Sequence, residues 1–161
     1  MEEVDYCSDP SKVRIFPGVV EGLRRLKLSG WQRIIVTNQS GLGRGYFSLQ
    51  DYQAVQDELL RQLEQEIDAV YFCPDSPESA TDRRKPGIGM LLEAAKDHAL
   101  DLGSCWMIGD KEADMLCART AGVSGILVRT GYGGDQPNPC PPHLIADHVT
   151  AAINEIAPPK S

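Results

Sequence analysis

Thr37, Asn38, Gln39 and Ser40 close a β-branched apolar run, "RIIV", and Gly41, Gly43 and Gly45 follow around Arg44. A hydroxyl, an amide and backbone N–H groups left over at a strand's carboxyl end can donate to a phosphate or another oxyanion. The same residues would also make an ordinary strand-to-helix turn, with Asn and Gly as turn formers. Lys85 stands before Pro86 in "RRKPG". Proline holds its predecessor extended, which would aim the ammonium at charge developing on a transferred group; a solvated surface lysine is the plainer alternative. In "IGDKEADM", Asp110 follows an apolar run and Asp114 lies one helical turn further, on the same face. Carboxylates so placed suit a hard cation such as Mg²⁺, which takes few protein oxygens and keeps water or substrate oxygens as its other ligands. The alternative is Asp110 as a helix cap, with Asp114 paired to Lys111 or Arg119 on the surface.

The elements that must position these groups alternate between strand and helix. Apolar runs at 33–37, 69–73, 105–110 and 125–130 predict strands. Ser48 with Asp51 three residues on predicts a capping box. Leu49, Tyr52, Val55, Leu59, Leu63 and Ile67 then recur at helical spacing. Further helices are expected at about 90–98, 112–121 and 151–156, with a Gly/Pro-rich loop over 131–142 before a short "LIADHV" segment. Such alternation predicts an α/β fold with a parallel sheet covered on both faces. Ligands then bind at the strands' carboxyl ends, so "TNQS", "GDKEAD", "RTGYG" (129–133) and the "RRKPG" loop should meet on one rim. No repeat or long linker divides the chain, and one domain over 1–161 is expected.

Composition narrows the classes. The chain has 161 residues, 42% of them hydrophobic, enough for a core, and a net charge of −7. That balance argues against a nucleic-acid groove. No apolar run approaches the roughly 20 residues of a membrane span. Cys7, Cys73, Cys105, Cys117 and Cys140 lack paired spacing. An odd, unpatterned set fits a reducing cytoplasm, with Cys105 and Cys117 expected as buried thiols. Trp31 and Trp106 are expected in or near the core. His98, His143 and His148 fall outside every string above, His98 at an expected helix end.

Taken in order, strand-Thr-Asn, Lys-Pro and strand-Gly-Asp-x-x-x-Asp resemble motifs II, III and IV of the haloacid dehalogenase (HAD) superfamily. The longer strings "VTNQSGLGRGYF", "RRKPGIGMLLEAA" and "MIGDKEADMLCA" look more narrowly like its subfamily of D-glycero-D-manno-heptose 1,7-bisphosphate phosphatases and histidinol-phosphatases. The likeness runs from Met1 to about Gly131. It implies a three-layer Rossmann-like fold, Mg²⁺ as cofactor, a small phosphorylated metabolite as substrate, and a cytoplasmic protein that is monomeric at full length. It implies that Thr37 hydrogen-bonds the phosphoryl group, that Lys85 stabilises it, and that Asp110 binds Mg²⁺ with Asp114 supporting from behind. Substrate contacts would come from Asn38, Gln39, Ser40, Arg84 and Lys111, and from Glu3, Val4, Asp5 and Tyr6. A heptose bisphosphate is the expected substrate, histidinol phosphate the alternative. A nucleic-acid 3′-phosphatase shares a similar "TNQ" string, but the acidic balance disfavours it.

Two departures from that pattern matter. The superfamily's Asp-x-Asp-Gly-Thr string, which ends its first, central strand and supplies nucleophile and general acid/base, does not occur in this chain. "MEEVDYCSDPSKVRIFPGV" resembles the family's stretch just after that string. The resemblance thus implies an N-terminally truncated domain without its central strand, whose chain as given is inactive. A non-catalytic fragment that binds only phosphate or a partner is the reading from another class. Second, many members carry a zinc loop, Cys-x-His followed by Cys-x-Cys-Arg-Lys-Pro. Here Cys73 is kept while Asp75, Thr81 and Arg83 take the other three places, so no structural zinc is expected. The loop would instead rest on its prolines and on charge pairs such as Asp82 with an arginine.

Overall fold

Apolar strands alternate with amphipathic helices along the chain, in a computed structural model that describes residues 7–131 and 140–159. After a turn at Pro10–Lys12 come α1 (Val19–Leu28), β1 (Ile34–Asn38), the short α2 (Ser40–Gly43), α3 (Leu49–Gln62) and β2 (Ala69–Cys73). Then follow α4 (Gly89–His98), β3 (Trp106–Gly109), α5 (Glu112–Thr120), β4 (Ser124–Val128), β5 (Leu144–Ala146) and α6 (Val149–Ile156). The expected capping box opens α3: Ser48 Oγ accepts from the Asp51 N–H at 3.1 Å and Asp51 Oδ2 accepts from the Ser48 N–H at 2.8 Å. The periodic apolar pattern outruns that helix. Glu64 and Gln65 turn away at φ 51° and 58°, and Ile67 reaches the core from the loop. Among the described residues, no helix is long and apolar enough to cross a membrane.

Successive strand residues point to opposite faces, and that alternation sorts the helices into two layers. Ile35 and Ile108 pack with Leu23 and Leu26 of α1 and Ile153 of α6. Their neighbours Val36 and Met107 pack with Cys117 and Ala118 of α5 and Leu91 of α4. On β4, Ile126 and Val128 meet Ala152 of α6, while Leu127 meets Met115 of α5. Met90, Met115, Ile126 and Ile153 are at most 2% exposed, and each contributes about 1.5–3 kcal/mol by leaving water. Helix α1 was not foreseen; Val19, Leu23 and Leu26 carry its signal.

Among the described residues all strand pairs are parallel, as expected, and they fall into two pieces. β1 pairs with β2, and β3, β4 and β5 form the other piece. Two side-chain expectations change with this. Trp106, expected in or near the core, is 36% exposed, and Cys105 is half-buried rather than buried. Both stand at the start of β3, which no described strand covers on the side away from β4.

Candidate active site

Lys85 is the best-anchored residue of the rim. At the carboxyl end of β1, Asn38 Nδ2 donates to the Lys85 carbonyl at 3.0 Å and Asn38 Oδ1 accepts from the Lys85 N–H at 3.1 Å. The main chain on the amino side of Pro86 is thereby clamped to β1. The Lys85 ammonium donates to the Val36 carbonyl at 2.9 Å and pairs with Asp114 Oδ1 at 2.7 Å. Neither side chain is much exposed, 13% for Lys85 and 7% for Asp114. So Lys85 is not a solvated surface lysine, and Asp114 is not paired to Arg119 at the surface. One ammonium ties the middle of β1 to the first turn of α5.

Asp114 holds the other wall. Its Oδ2 accepts from the Lys111 N–H at 3.1 Å, so Asp114 serves the start of α5. The carboxylate lies directly over Gly109: a methyl group there would collide with Asp114 Cβ and fall 2.5 Å from its Oδ2. Glycine before Asp110 is thus a steric requirement of Asp114's approach, a signal present in "IGD" but not read from the sequence. Asp110 sits between Gly109, the last residue of β3, and Lys111, the N-cap of α5.

Thr37 Oγ1 accepts from Gln39 Nε2 at 3.0 Å, and the Gln39 N–H continues the β1–β2 ladder onto the Cys73 carbonyl at 2.7 Å. Ser40 begins α2. The Asn38 amide holds the Lys85 main chain through both its nitrogen and its oxygen. The Arg84 guanidinium is directed to the Asp75 carbonyl at 2.7 Å. Arg129 of "RTGYG" pairs with Asp147 at 2.9 Å. Glu3, Val4, Asp5 and Tyr6 lie outside the described residues. The strings at 37–40, 85 and 109–114 are therefore brought to one rim through Lys85, and Arg84 leans on the neighbouring loop.

That loop is built from the four positions singled out for the zinc motif. Asp75 Oδ2 accepts from the Thr81 N–H at 3.0 Å and from its hydroxyl at 2.5 Å, and these bonds hold its carboxyl below the usual range. Burial pushes the Cys73 thiol up. Arg83 grips Glu93 of α4 with two bonds, at 2.7 and 2.9 Å, and Arg44 pairs with Glu78 at 2.9 Å. In place of the expected pair of Asp82 with an arginine, the loop has the pairs Arg83 with Glu93 and Arg44 with Glu78. Asp82 contributes its carbonyl, which accepts from the Gly89 N–H at 2.8 Å.

The donor set fits magnesium. Both oxygens of Asp114 are engaged by Lys85 and Lys111, so a cation here would take Asp110 directly and Asp114 from behind. Among the described residues no three His, Cys, Asp or Glu side chains cluster as a metal cage. Mg²⁺ needs none, since one or two carboxylates with water and phosphate oxygens complete its shell.

Parallel strands whose carboxyl ends gather a hydroxyl, a buried ammonium and a carboxylate define a class: α/β domains whose ligand site is the sheet rim. Residues 82–152 match the HAD-hydrolase-like family model. The D-glycero-D-manno-heptose-1,7-bisphosphate 7-phosphatase of Thermosynechococcus vestitus is 39% identical over 174 residues, covering 96% of this chain and 89% of the relative. A D-glycero-beta-D-manno-heptose-1,7-bisphosphate 7-phosphatase of Helicobacter pylori is 38% identical over 78% of this chain and 74% of its own. The crystal structure of the D,D-heptose 1,7-bisphosphate phosphatase from B. bronchiseptica, complexed with magnesium and phosphate, superposes with a TM-score of 0.86 at 28% identity, covering 97% of this chain and 90% of the other. The chain belongs to the D-glycero-D-manno-heptose-1,7-bisphosphate 7-phosphatase family of HAD-like hydrolases.

Proposed function

We propose that the rim binds the phosphoryl group of a heptose bisphosphate beside Mg²⁺, and that the chain's part in hydrolysis is to hold and neutralise that group. One observation carries the reading: the buried Lys85 ammonium, fixed by Val36 and Asp114 while Asn38 clamps its main chain, beside Thr37 at the end of β1. A cation held this rigidly loses little freedom when charge builds on the phosphoryl oxygens, so it stabilises the transition state more than the ground state. The Thr37 hydroxyl would donate to a phosphoryl oxygen. Asp110 would hold the magnesium, whose chemistry is to neutralise phosphate charge. Arg84 and Lys111 would meet the sugar side, with Gln39 and Ser40 shaping the turn.

Hydrolysis in this family type goes through an aspartyl-phosphate. The 161 residues contain no Asp-x-Asp-Gly-Thr string. We accordingly assign no nucleophile within the chain and expect binding without turnover from these residues alone. Titration calorimetry with heptose 1,7-bisphosphate and Mg²⁺, paired with a phosphate-release assay, tests both halves. Expected are Mg²⁺-dependent binding that weakens at least tenfold in Lys85→Met, and no released phosphate. Absence of Mg²⁺-dependent binding would overturn the site. Phosphate release abolished by Asp110→Asn would overturn the assignment of no nucleophile.

A further inference from the structure

A cavity of about 300 Å³ lies between α5, β4 and the residues that lead into β5. Thr37, Lys85, Asp110 and Asp114 take no part in its walls. Met115, Ala118 and Arg119 stand three and four residues apart on α5, so one face of that helix makes one wall. Gly125 of β4 lies beneath them: a methyl group there would come 3.0 Å from the Met115 sulfur and 3.7 Å from Ala118 Cβ. Pro142 and His143 add a further wall. Met115 and Ala118 are buried, whereas Arg119 and His143 are exposed. The cavity is therefore apolar within and polar at its opening.

The bonds of His143 fix what its ring can offer. Its N–H donates to the Gly125 carbonyl at 2.9 Å, and its Nδ1 accepts from the Gly125 N–H at 3.0 Å. An imidazole nitrogen that accepts carries no proton, so the ring proton sits on Nε2. Trp106 stands edge-on to the ring, with 6.3 Å between centroids and 78° between planes, and so helps to hold it. Among the described residues the Nε2–H has no hydrogen-bond partner, and the Arg119 guanidinium has neither a hydrogen bond nor an ion pair. Two donors thus stand ready at one opening, one of them charged.

We propose that this cavity binds a small carboxylate with an apolar body, its head group on Arg119 and the His143 Nε2–H and its body over Met115, Ala118 and Gly125. A guanidinium grips a carboxylate through two parallel N–H bonds, and the imidazole N–H adds a third donor. Both groups only donate, which suits a head group of lone pairs without protons. One positive charge balances one negative charge. A phosphate dianion would keep an excess, on a chain whose net charge is already −7. The buried walls favour an apolar body by taking its surface out of water. At about 30 Å³ for each water-sized group, the space holds about ten non-hydrogen atoms. A sugar phosphate, polar all round, gains nothing from such walls, so this site differs in chemistry from the rim and needs neither phosphate nor magnesium.

The test titrates the full chain, with isotope-labelled methionine methyl groups, with phenylacetate in the absence of phosphate and magnesium. By NMR the Met115 methyl is expected to shift saturably, with a dissociation constant of about 1 mM or tighter. The methyl of Met90, buried on α4 outside the cavity, should stay still, while the His143 Nε2–H signal moves with Met115. Phenylacetamide, the neutral isostere, and acetate, the head group alone, should each bind at least tenfold more weakly. Arg119→Met should also weaken phenylacetate at least tenfold and leave the urea midpoint unchanged, because the side chain is exposed. Equal binding of phenylacetamide would mean an apolar cavity only. Equal binding of acetate or inorganic phosphate would mean an exposed arginine only. A Met115 methyl that stays still, or responds equally in Arg119→Met, would likewise overturn the proposal. If heptose bisphosphate binds while phenylacetate does not, the proposed function stands and this inference falls; the reverse result separates them the other way.

Discussion

Lys85→Met tests whether the rim is organised around a buried charge pair. The substitution keeps the Asn38 clamp, which uses only the main chain of residue 85. It leaves the Asp114 carboxylate, 7% exposed, without its ammonium and removes the donor to the Val36 carbonyl. Removing one partner of a buried pair costs about 3–5 kcal/mol. Asp114→Asn should cost less, about 2–3 kcal/mol, because an amide oxygen can still accept from the Lys111 N–H while Lys85 keeps Val36. The double variant buries neither charge, so its loss should fall short of the sum of the singles by about 2 kcal/mol. Urea unfolding followed by tryptophan fluorescence gives all four corners of the cycle, with an unchanged slope as the check on two-state behaviour. The coupling should change little between about 0.05 and about 0.5 M salt, since water is excluded from the pair. Single losses under about 1 kcal/mol that simply add, or a coupling that salt abolishes, would show an exposed pair and refute the anchored ammonium.

The geometry sets three further outcomes. Gly109→Ala drives a methyl into the Asp114 side chain and should cost about 1–3 kcal/mol in the same unfolding assay, whereas Gly103→Ala, whose nearest contact is an ordinary 3.4 Å, should stay within about 0.5 kcal/mol. Asn38→Ala leaves the Lys85 N–H and carbonyl without partners and should cost about 1–3 kcal/mol, together with faster amide exchange at residue 85. Burial pushes the Cys117 thiol from its ordinary 9.0 up to about 11, so it stays protonated well above pH 8. The stability linked to that proton is complete below pH 9 and is lost as pH climbs toward 11. Alkylation by iodoacetamide at pH 8 should therefore mark the half-exposed Cys7 well before Cys117; equal rates would contradict the buried thiol.

Local patterns carried the elements. The capping box at Ser48 and Asp51, the apolar runs of the strands and the polar residues at their ends are nearest-neighbour information, and each formed as read. The periodic pattern that ran on to Ile67 misled because spacing reports which face is apolar, not whether the chain is still helical. That Asn38 holds the Lys85 main chain was not legible for a similar reason, because its partner is 47 residues away.

By itself, the sequence determined an α/β chain with parallel strands that end in polar residues, because hydrophobic period and turn chemistry are written in adjacent residues. Only the tertiary structure decided that Lys85 and Asp114 share a buried pair, that Gly109 makes room for it, and that Arg119 and His143 line one cavity. Those facts depend on contacts between segments far apart in the chain. Burial, and with it the strength of a charge or the cost of an unpaired amide, exists only once the segments have packed.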